Sequence, residues 1–128
     1  MAKLEIKENK KLVVAVSPDY PPFEFKTLVD GKDQVVGSDI KLAQAIADEL
    51  GVKLEITTMS FDNVLSSLQS GKADLAISGI SVTDERKKTF DFSYPYYETQ
   101  NAIIVRKDQE STYSSLDAFK GKKVAVQK

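Results

Sequence analysis

The 128-residue chain contains no cysteine, no histidine and no tryptophan. The absence of cysteine excludes disulfides and thiolate chemistry, and without histidine the usual zinc sites are excluded as well. The missing histidine also removes the commonest general base and every Ser-His nucleophile pair. Catalysis by carboxylates or lysine remains open, but no enzymatic activity and no cofactor are expected.

The sequence also lacks a long apolar run and an excess of charge of either sign. It has no stretch of about 18 apolar residues, so no transmembrane helix is predicted. The first residues, MAKLEIK, lack the apolar core of a signal peptide, so the protein is either cytosolic or has lost a leader. With 18 basic and 19 acidic residues, the net charge is −1, which argues against nucleic acid or an anionic membrane as a partner.

Predicted strands and helices alternate along the chain. The predicted strands are residues 12–16, 52–57, 73–80, 101–105 and 123–126. The first predicted helix is capped by Ser38 or Asp39 and runs to about Leu50. The second starts at Ser60 or Asp62 and is ended by Gly71, and a third, short helix covers about residues 83–89. An alternating segment at 23–25 and the turn signal at 30–33 predict a hairpin. Repeated strand–helix–strand units predict an α/β fold, a mostly parallel sheet with helices on both faces.

Ligands of such sheets bind beyond the carboxyl ends of the strands. The loops that follow the first three predicted strands of the parallel sheet carry polar, aromatic and glycine residues that we expect to converge on one rim. These residues are Ser17, Tyr20, Phe61, Ser78, Gly79, Ser81 and Arg86.

Arg86 has an unusual predicted position near the start of a helix. Thr83 is a good N-cap residue, and the acidic Asp84 and Glu85 suit the positive end of the helix dipole. Arg86 opposes that dipole by roughly 0.3–1 kcal/mol. An anion bound at the helix start removes this conflict, so a carboxylate or phosphate site is predicted. The alternative is that Arg86 is a solvated surface residue.

Four segments together carry a resemblance to a known family. They are VAVSPDYPPFEF (14–25), VGSDI (36–40), SGISVTDER (78–86) and FDFSYPYY (90–97). The chain resembles the extracytoplasmic amino-acid-binding proteins of ABC importers, which have the type II periplasmic-binding-protein fold, and within them the binders of glutamine and other polar amino acids. In that family two α/β lobes close on the ligand.

The resemblance implies a role for each residue of the predicted rim. Arg86 would bind the ligand α-carboxylate with help from the Ser81 N–H. The Ser81 hydroxyl and the Gly79 carbonyl would accept from the α-ammonium. Independently of the resemblance, the convergence of these loops on one rim favours an anion site over a solvated Arg86.

The other four rim residues would shape the pocket. Tyr20 and Phe61 would enclose the ligand side chain, and Ser78 would line the floor. Ser17 occupies a position where relatives that bind basic or amide side chains often carry Asp, which weakens the case for a basic ligand. The alternatives are that Tyr20 packs its loop, Phe61 is a hydrophobic staple and both serines are plain strand-end residues.

The resemblance also divides the chain and implies that it is truncated. Residues 1–98 match lobe one without its C-terminal return, residues 99–108 a hinge strand, and residues 109–128 the opening of lobe two. We therefore expect this polypeptide to bind an amino acid weakly or not at all. An uncovered strand at 123–126 predicts self-association through the 109–128 tail.

The family implies an ABC permease as partner and an extracytoplasmic location, with a lipid anchor or permease fusion in the parent protein. Two alternatives stay open at this point. The same fold serves as the ligand-binding domain of sensors and receptors, and it also hosts periplasmic dehydratases.

Overall fold

The computed structural model describes residue 6 and residues 8–126, and the chain divides into two units after Phe92. The strands of the first unit are β1 (Lys11–Val16), β2 (Asp19–Tyr20), β3 (Glu24–Val29), β4 (Lys32–Val36), β5 (Lys53–Thr58) and β6 (Leu75–Ala76). Its helices beyond residue 10 are α1 (Ser38–Leu50), α2 (Phe61–Gln69) and α3 (Asp84–Lys87). These elements confirm the predicted α/β class.

β1 is the centre of a parallel three-stranded sheet with the order β5-β1-β6. Successive side chains of a strand point to opposite faces, and β1 is apolar on both. One face packs against α1 in a cluster of fully buried residues: Leu12, Val14, Val16, Ala43 and Ala47. On the other face Ala15 packs with Val64 of α2. The prediction of helices on both faces is therefore confirmed.

The predicted hairpin is also present, as the antiparallel sheet β2-β3-β4. Asp30 and Gly31 form its turn with φ of 51° and 75°, the positive values that a tight hairpin turn needs. Gly37 then links β4 to α1 with φ of 132°. A Cβ at this position would collide with the Phe23 carbonyl oxygen, so only glycine fits.

Some boundaries in the first unit differ from the prediction, and the helix expected at 83–89 is limited to Asp84–Lys87. The N-cap of α1 is Gly37, without a side-chain cap, and not Ser38 or Asp39. The third parallel strand is limited to Leu75–Ala76 instead of 73–80. It ends early because the N–H of Ser17, the residue after the neighbouring strand β1, donates to the Ser78 hydroxyl (N···Oγ 2.9 Å) and not to a backbone carbonyl.

The second unit has short 3₁₀ turns at Lys107–Gln109 and Leu116–Phe119. The rings of Tyr113 and Phe119 stack with their centroids 4.9 Å apart. Residues 93–126, the described part of this unit, form no strand. The predicted strand at 101–105, which lies within the expected hinge strand 99–108, is therefore wrong. The predicted strand at 123–126 is wrong as well. An apolar segment needs a hydrogen-bonded neighbour to become a strand, and Ile104 is instead 96% exposed.

The predicted division into lobe one, hinge and lobe two stays a prediction, and residues 127–128 of its last segment lie outside the described residues. Within those described, no helix has the length and apolarity that crossing a membrane requires.

We predict that Gly37→Ala destabilises the first unit by about 3 kcal/mol or more, because both the positive φ and the collision with Phe23 oppose a Cβ. Gly31→Ala is the matched control, since its φ is also positive but nothing lies within 4 Å of the added Cβ. That control should cost about 1 kcal/mol. Urea unfolding measures both, and equal losses would contradict the steric account.

Candidate functional site

Ser17 and Ser78 meet just beyond the carboxyl ends of β1 and β6. The Ser17 N–H donates to Ser78 Oγ (2.9 Å), and the Ser78 hydroxyl donates to Glu24 Oε1 (2.7 Å). All three residues are buried. The Ser78 hydroxyl therefore joins three segments of the chain, which is a structural role in addition to any contact with a ligand. The Ser17 hydroxyl turns the other way and donates to Asp19 Oδ1 at 3.1 Å.

Tyr20 and Gly79 form the next contact along this rim. The Tyr20 ring stacks on Phe23, with centroids 5.4 Å apart, and remains 44% exposed. Gly79 has φ of 55°, and a Cβ added there would lie 3.2 Å from Tyr20 Cδ1. The glycine thus allows the ring to lie against the backbone of the 78–81 segment, and it leaves an exposed aromatic surface beside that backbone.

Arg86, Phe61 and Ser81 form the third contact group. Arg86 Nη1 donates to the Ser81 carbonyl at 2.8 Å. The guanidinium carbon lies 5.9 Å from the centroid of the Phe61 ring, within the range of a cation–π contact. Arg86 is half-buried, and both of these contacts hold its side chain at the rim. A guanidinium has five N–H donors, and this arrangement orients them.

The helix that carries Arg86 changes part of the electrostatic argument. Thr83 is the N-cap as predicted, and its hydroxyl accepts from the Arg86 N–H at 3.2 Å. Because α3 has only four residues, Arg86 lies in its last turn as well as its first. The expected conflict with the helix dipole therefore has no force. The case for an anion site depends on the guanidinium itself, held by Ser81 and Phe61.

The three contact groups are linked through the segment 78–81. Its end Cα atoms can be at most about 11 Å apart, because three virtual Cα–Cα bonds separate them. Contacts join Ser17 to Ser78, Tyr20 to Gly79, and Phe61 and Ser81 to Arg86. The predicted rim is thus assembled from loops that follow β1, β5 and β6, while the ligand role of each residue remains a prediction.

Sequence reasoning missed two buried acids beneath this rim. Glu24 is 1% exposed and Asp39 is fully buried. The pKa of Glu24 is raised to about 8, mainly by burial and also by the hydrogen bond with Asp39 and the charges of Asp39 and Asp19. The hydrogen bond from Ser78 acts in the opposite direction and lowers this pKa. Asp39 Oδ2 accepts from the Gly79 N–H at 3.1 Å. The alternation of Phe23, Glu24 and Phe25 predicts a strand, but it carries no signal that the carboxyl group of Glu24 is buried.

The sequence profile of the bacterial extracellular solute-binding proteins, family 3, matches residues 12–127. The chain belongs to this family. The assignment confirms the resemblance found in the sequence.

Curated family members are similar over almost the whole chain. The arginine-binding extracellular protein ArtP of Bacillus subtilis is 43% identical over 119 residues, which are 93% of this chain and 44% of that protein. The L-cystine-binding protein TcyJ of Escherichia coli K12 is 38% identical over 122 residues, 95% of this chain and 45% of that protein. The chain spans less than half the length of these relatives.

Solved structures support the fold. An amino acid ABC transporter substrate-binding protein from Streptococcus pneumoniae, bound to L-arginine, has a TM-score of 0.85 and 65% identity over 92% of this chain and 49% of that one. The arginine-bound form of domain 1 from TmArgBP has a TM-score of 0.68 and 47% identity, over 73% of this chain and 71% of that one. The fold is part of the type II periplasmic-binding-protein fold.

We predict that Ser78→Ala destabilises the first unit by about 2 to 4 kcal/mol, because it removes the hydrogen-bond partner of the buried Ser17 N–H and of Glu24 Oε1. Ser66→Ala, an exposed hydroxyl on α2, is the control and should change stability by less than about 0.5 kcal/mol. Chemical unfolding of both variants measures the difference. A Ser78→Ala variant as stable as the control would show that the network is not a structural link.

Proposed function

We propose that this chain supplies one lobe of an amino-acid site in the solute-binding protein of an ABC importer. The observation that carries the proposal is the guanidinium of Arg86, held between the Ser81 carbonyl and the Phe61 ring. A guanidinium in a fixed orientation can bind a carboxylate through two parallel hydrogen bonds. Each hydrogen bond to a charged group contributes about 1.5–3 kcal/mol.

The other end of the ligand is an ammonium, which needs acceptors. We assign this role to the Gly79 carbonyl and the Ser81 hydroxyl, which belong to the same short segment as the carboxylate anchor. Tyr20 and Phe61 would enclose the side chain and exclude water from the charged contacts, which strengthens them. Ser78 and Ser17 would close the floor.

The ligand we propose is a polar amino acid, with arginine as the first candidate. The relatives named above bind arginine or cystine by name, and these names give no support to glutamine, which the sequence resemblance favoured. Ser17 is neutral, but its hydroxyl contacts the carboxylate of Asp19 (3.1 Å). A negative charge therefore lies two residues from the position at which many relatives carry Asp, and it can complement a cationic side chain.

A single lobe leaves part of the ligand in water, so we expect the chain to bind more weakly than a two-lobe protein. The arginine-bound structure of domain 1 from TmArgBP supports binding by one lobe over no binding at all. The relatives that support this proposal are named as binding proteins, not as enzymes. No specific observation favours the dehydratase or receptor alternatives.

The whole protein would then act outside the cytoplasmic membrane and deliver its ligand to a permease. The extracellular relatives support that location. The division into residues 1–98, 99–108 and 109–128 belongs to this proposal. Self-association through the 109–128 tail remains a separate prediction. The strand at 123–126 from which it was inferred is absent from the described residues.

We predict that Arg86→Lys weakens L-arginine binding about tenfold or more, because lysine keeps the charge but cannot form the bidentate contact. The control is Arg106→Lys, an exposed arginine in the second unit, which should leave the affinity unchanged. Isothermal titration calorimetry measures both. Equal affinities for Arg86→Lys and the unmodified chain would remove Arg86 from the site.

We further predict that Asp19→Asn lowers the affinity for L-arginine by about threefold or more, roughly 0.7 kcal/mol, and leaves the affinity for L-glutamine nearly unchanged. Of the two ligands, only arginine has a cationic side chain, so only arginine loses an electrostatic partner when Asp19 becomes neutral. Competition between the two amino acids measures the ratio. The exposed Asp33→Asn is the charge control. A parallel loss for both ligands would contradict a side-chain role for Asp19.

A further inference from the structure

Glu24 and Asp39 place two carboxyl groups together in the interior. Glu24 begins β3 and Asp39 lies in the first turn of α1, and solvent reaches almost none of either residue. Two carboxylates buried side by side repel one another, and each loses its hydration on burial. One proton held between two such groups relieves both penalties.

The hydrogen bonds of the pair show where that proton would lie. Glu24 Oε1 accepts from the Ser78 hydroxyl (2.7 Å), and Asp39 Oδ2 accepts from the Gly79 N–H (3.1 Å). The remaining oxygens, Glu24 Oε2 and Asp39 Oδ1, are buried and have no donor among the described residues if both groups are ionised. The two side chains are nevertheless within hydrogen-bonding reach. A proton on Oε2 that is donated to Asp39 satisfies both oxygens at once.

We propose that Glu24 and Asp39 share one proton and, in that state, position the Ser78–Gly79 segment for the ligand. The positioning role rests on the proposed function, because Gly79 and Ser78 belong to the amino-acid site assigned above. Neither acid touches the ligand in this account. Glu24 holds Ser78, and Asp39 holds the adjacent Gly79. Loss of the proton would make both carboxylates negative, and their repulsion would push β3 and α1 apart beneath the rim.

The charged groups around Glu24 favour the protonated form. Asp39 on α1 and Asp19 on β2 both act on it as negative charges, while the 78–79 segment contributes the Ser78 hydroxyl. The pKa of Glu24 is raised from 4.5 to about 8, so the folded chain holds a proton that the unfolded chain releases between those values. Stability from this group is therefore present at low pH and is lost as the pH rises toward about 8.

The first test uses the whole chain without any ligand. Urea unfolding from pH 5.5 to pH 9 should show a loss of stability in the unmodified chain relative to Glu24→Gln, which has no proton to release. The amide of the variant can donate to Asp39 and accept from Ser78, as the protonated acid does. Asp39→Asn should shift the loss to lower pH or reduce it, because the negative neighbour is gone. The exposed Asp33→Asn is the charge control and should behave as the unmodified chain does.

A second measurement does not depend on whether these variants fold. The infrared spectrum of the unmodified chain at pH 7 should contain the carbonyl stretch of a buried protonated carboxylic acid, which disappears above about pH 9. A spectrum at pH 7 that lacks this band overturns the shared proton. In the unfolding test above, the same conclusion follows if Glu24→Gln keeps the full pH dependence.

The third test asks whether the pair positions the site, with L-arginine as the probe. If only the protonated pair can bind arginine, a pKa of about 8 for Glu24 leaves about one-tenth of the molecules able to bind at pH 9. The apparent Kd for L-arginine should therefore rise about tenfold between pH 6.5 and pH 9. Glu24→Gln should lack this rise, and the ratio of the two chains removes the titration of arginine itself. An equal rise in both chains overturns the positioning role.

The two proposals fail in different ways. If arginine binds to no chain at any pH, the proposed function is contradicted and the positioning role falls with it. The unfolding and infrared data then decide the shared proton alone.

Discussion

The Ser78 hydroxyl joins the end of β1 to the start of β3, and this buried hydrogen-bond link determines where the candidate site lies. It accepts from the Ser17 N–H and donates to Glu24, while the neighbouring Gly79 N–H donates to Asp39 of α1. Three segments, the end of β1, the start of β3 and the start of α1, are therefore fixed to one short stretch of backbone. Buried polar groups are costly unless paired, so the network strongly favours one arrangement of these loops.

The candidate site follows from this arrangement because the rim residues continue directly from the network. Gly79 contacts the Tyr20 ring, and Ser81, two residues later, holds the guanidinium of Arg86 above Phe61. Under the proposed function, the carboxylate anchor, the acceptors for an ammonium and the two aromatic rings would all come from segments fixed by a parallel sheet. The sheet provides the rigidity, since β1 is packed on both faces.

Much of the fold was accessible from the sequence because its signals are local. The apolar run 12–16 predicts a strand covered on both faces, and the turn at Asp30 and Gly31 predicts the hairpin. The loops after the strands predict the rim, and Arg86 was identified there, although the dipole argument for it does not survive a helix of four residues. The buried pair was not accessible, because Glu24 sits in an alternating strand and Asp39 near a helix start, where acids are common on the surface. The strands expected at 101–105 and 123–126 depend on neighbours that apolar composition cannot reveal.

The central claim is that the guanidinium at the rim recognises the carboxylate of an amino acid. It is tested most directly by NMR titration of the chain, with the Nε–H signal of Arg86 and the amide signal of Gly79 as probes. L-arginine and agmatine, which is arginine without its carboxylate, are compared at the same pH. The account predicts saturable shifts of both signals with arginine and much weaker shifts with agmatine. Equal responses to the two compounds, or arginine-induced shifts confined to residues away from the rim, would contradict it.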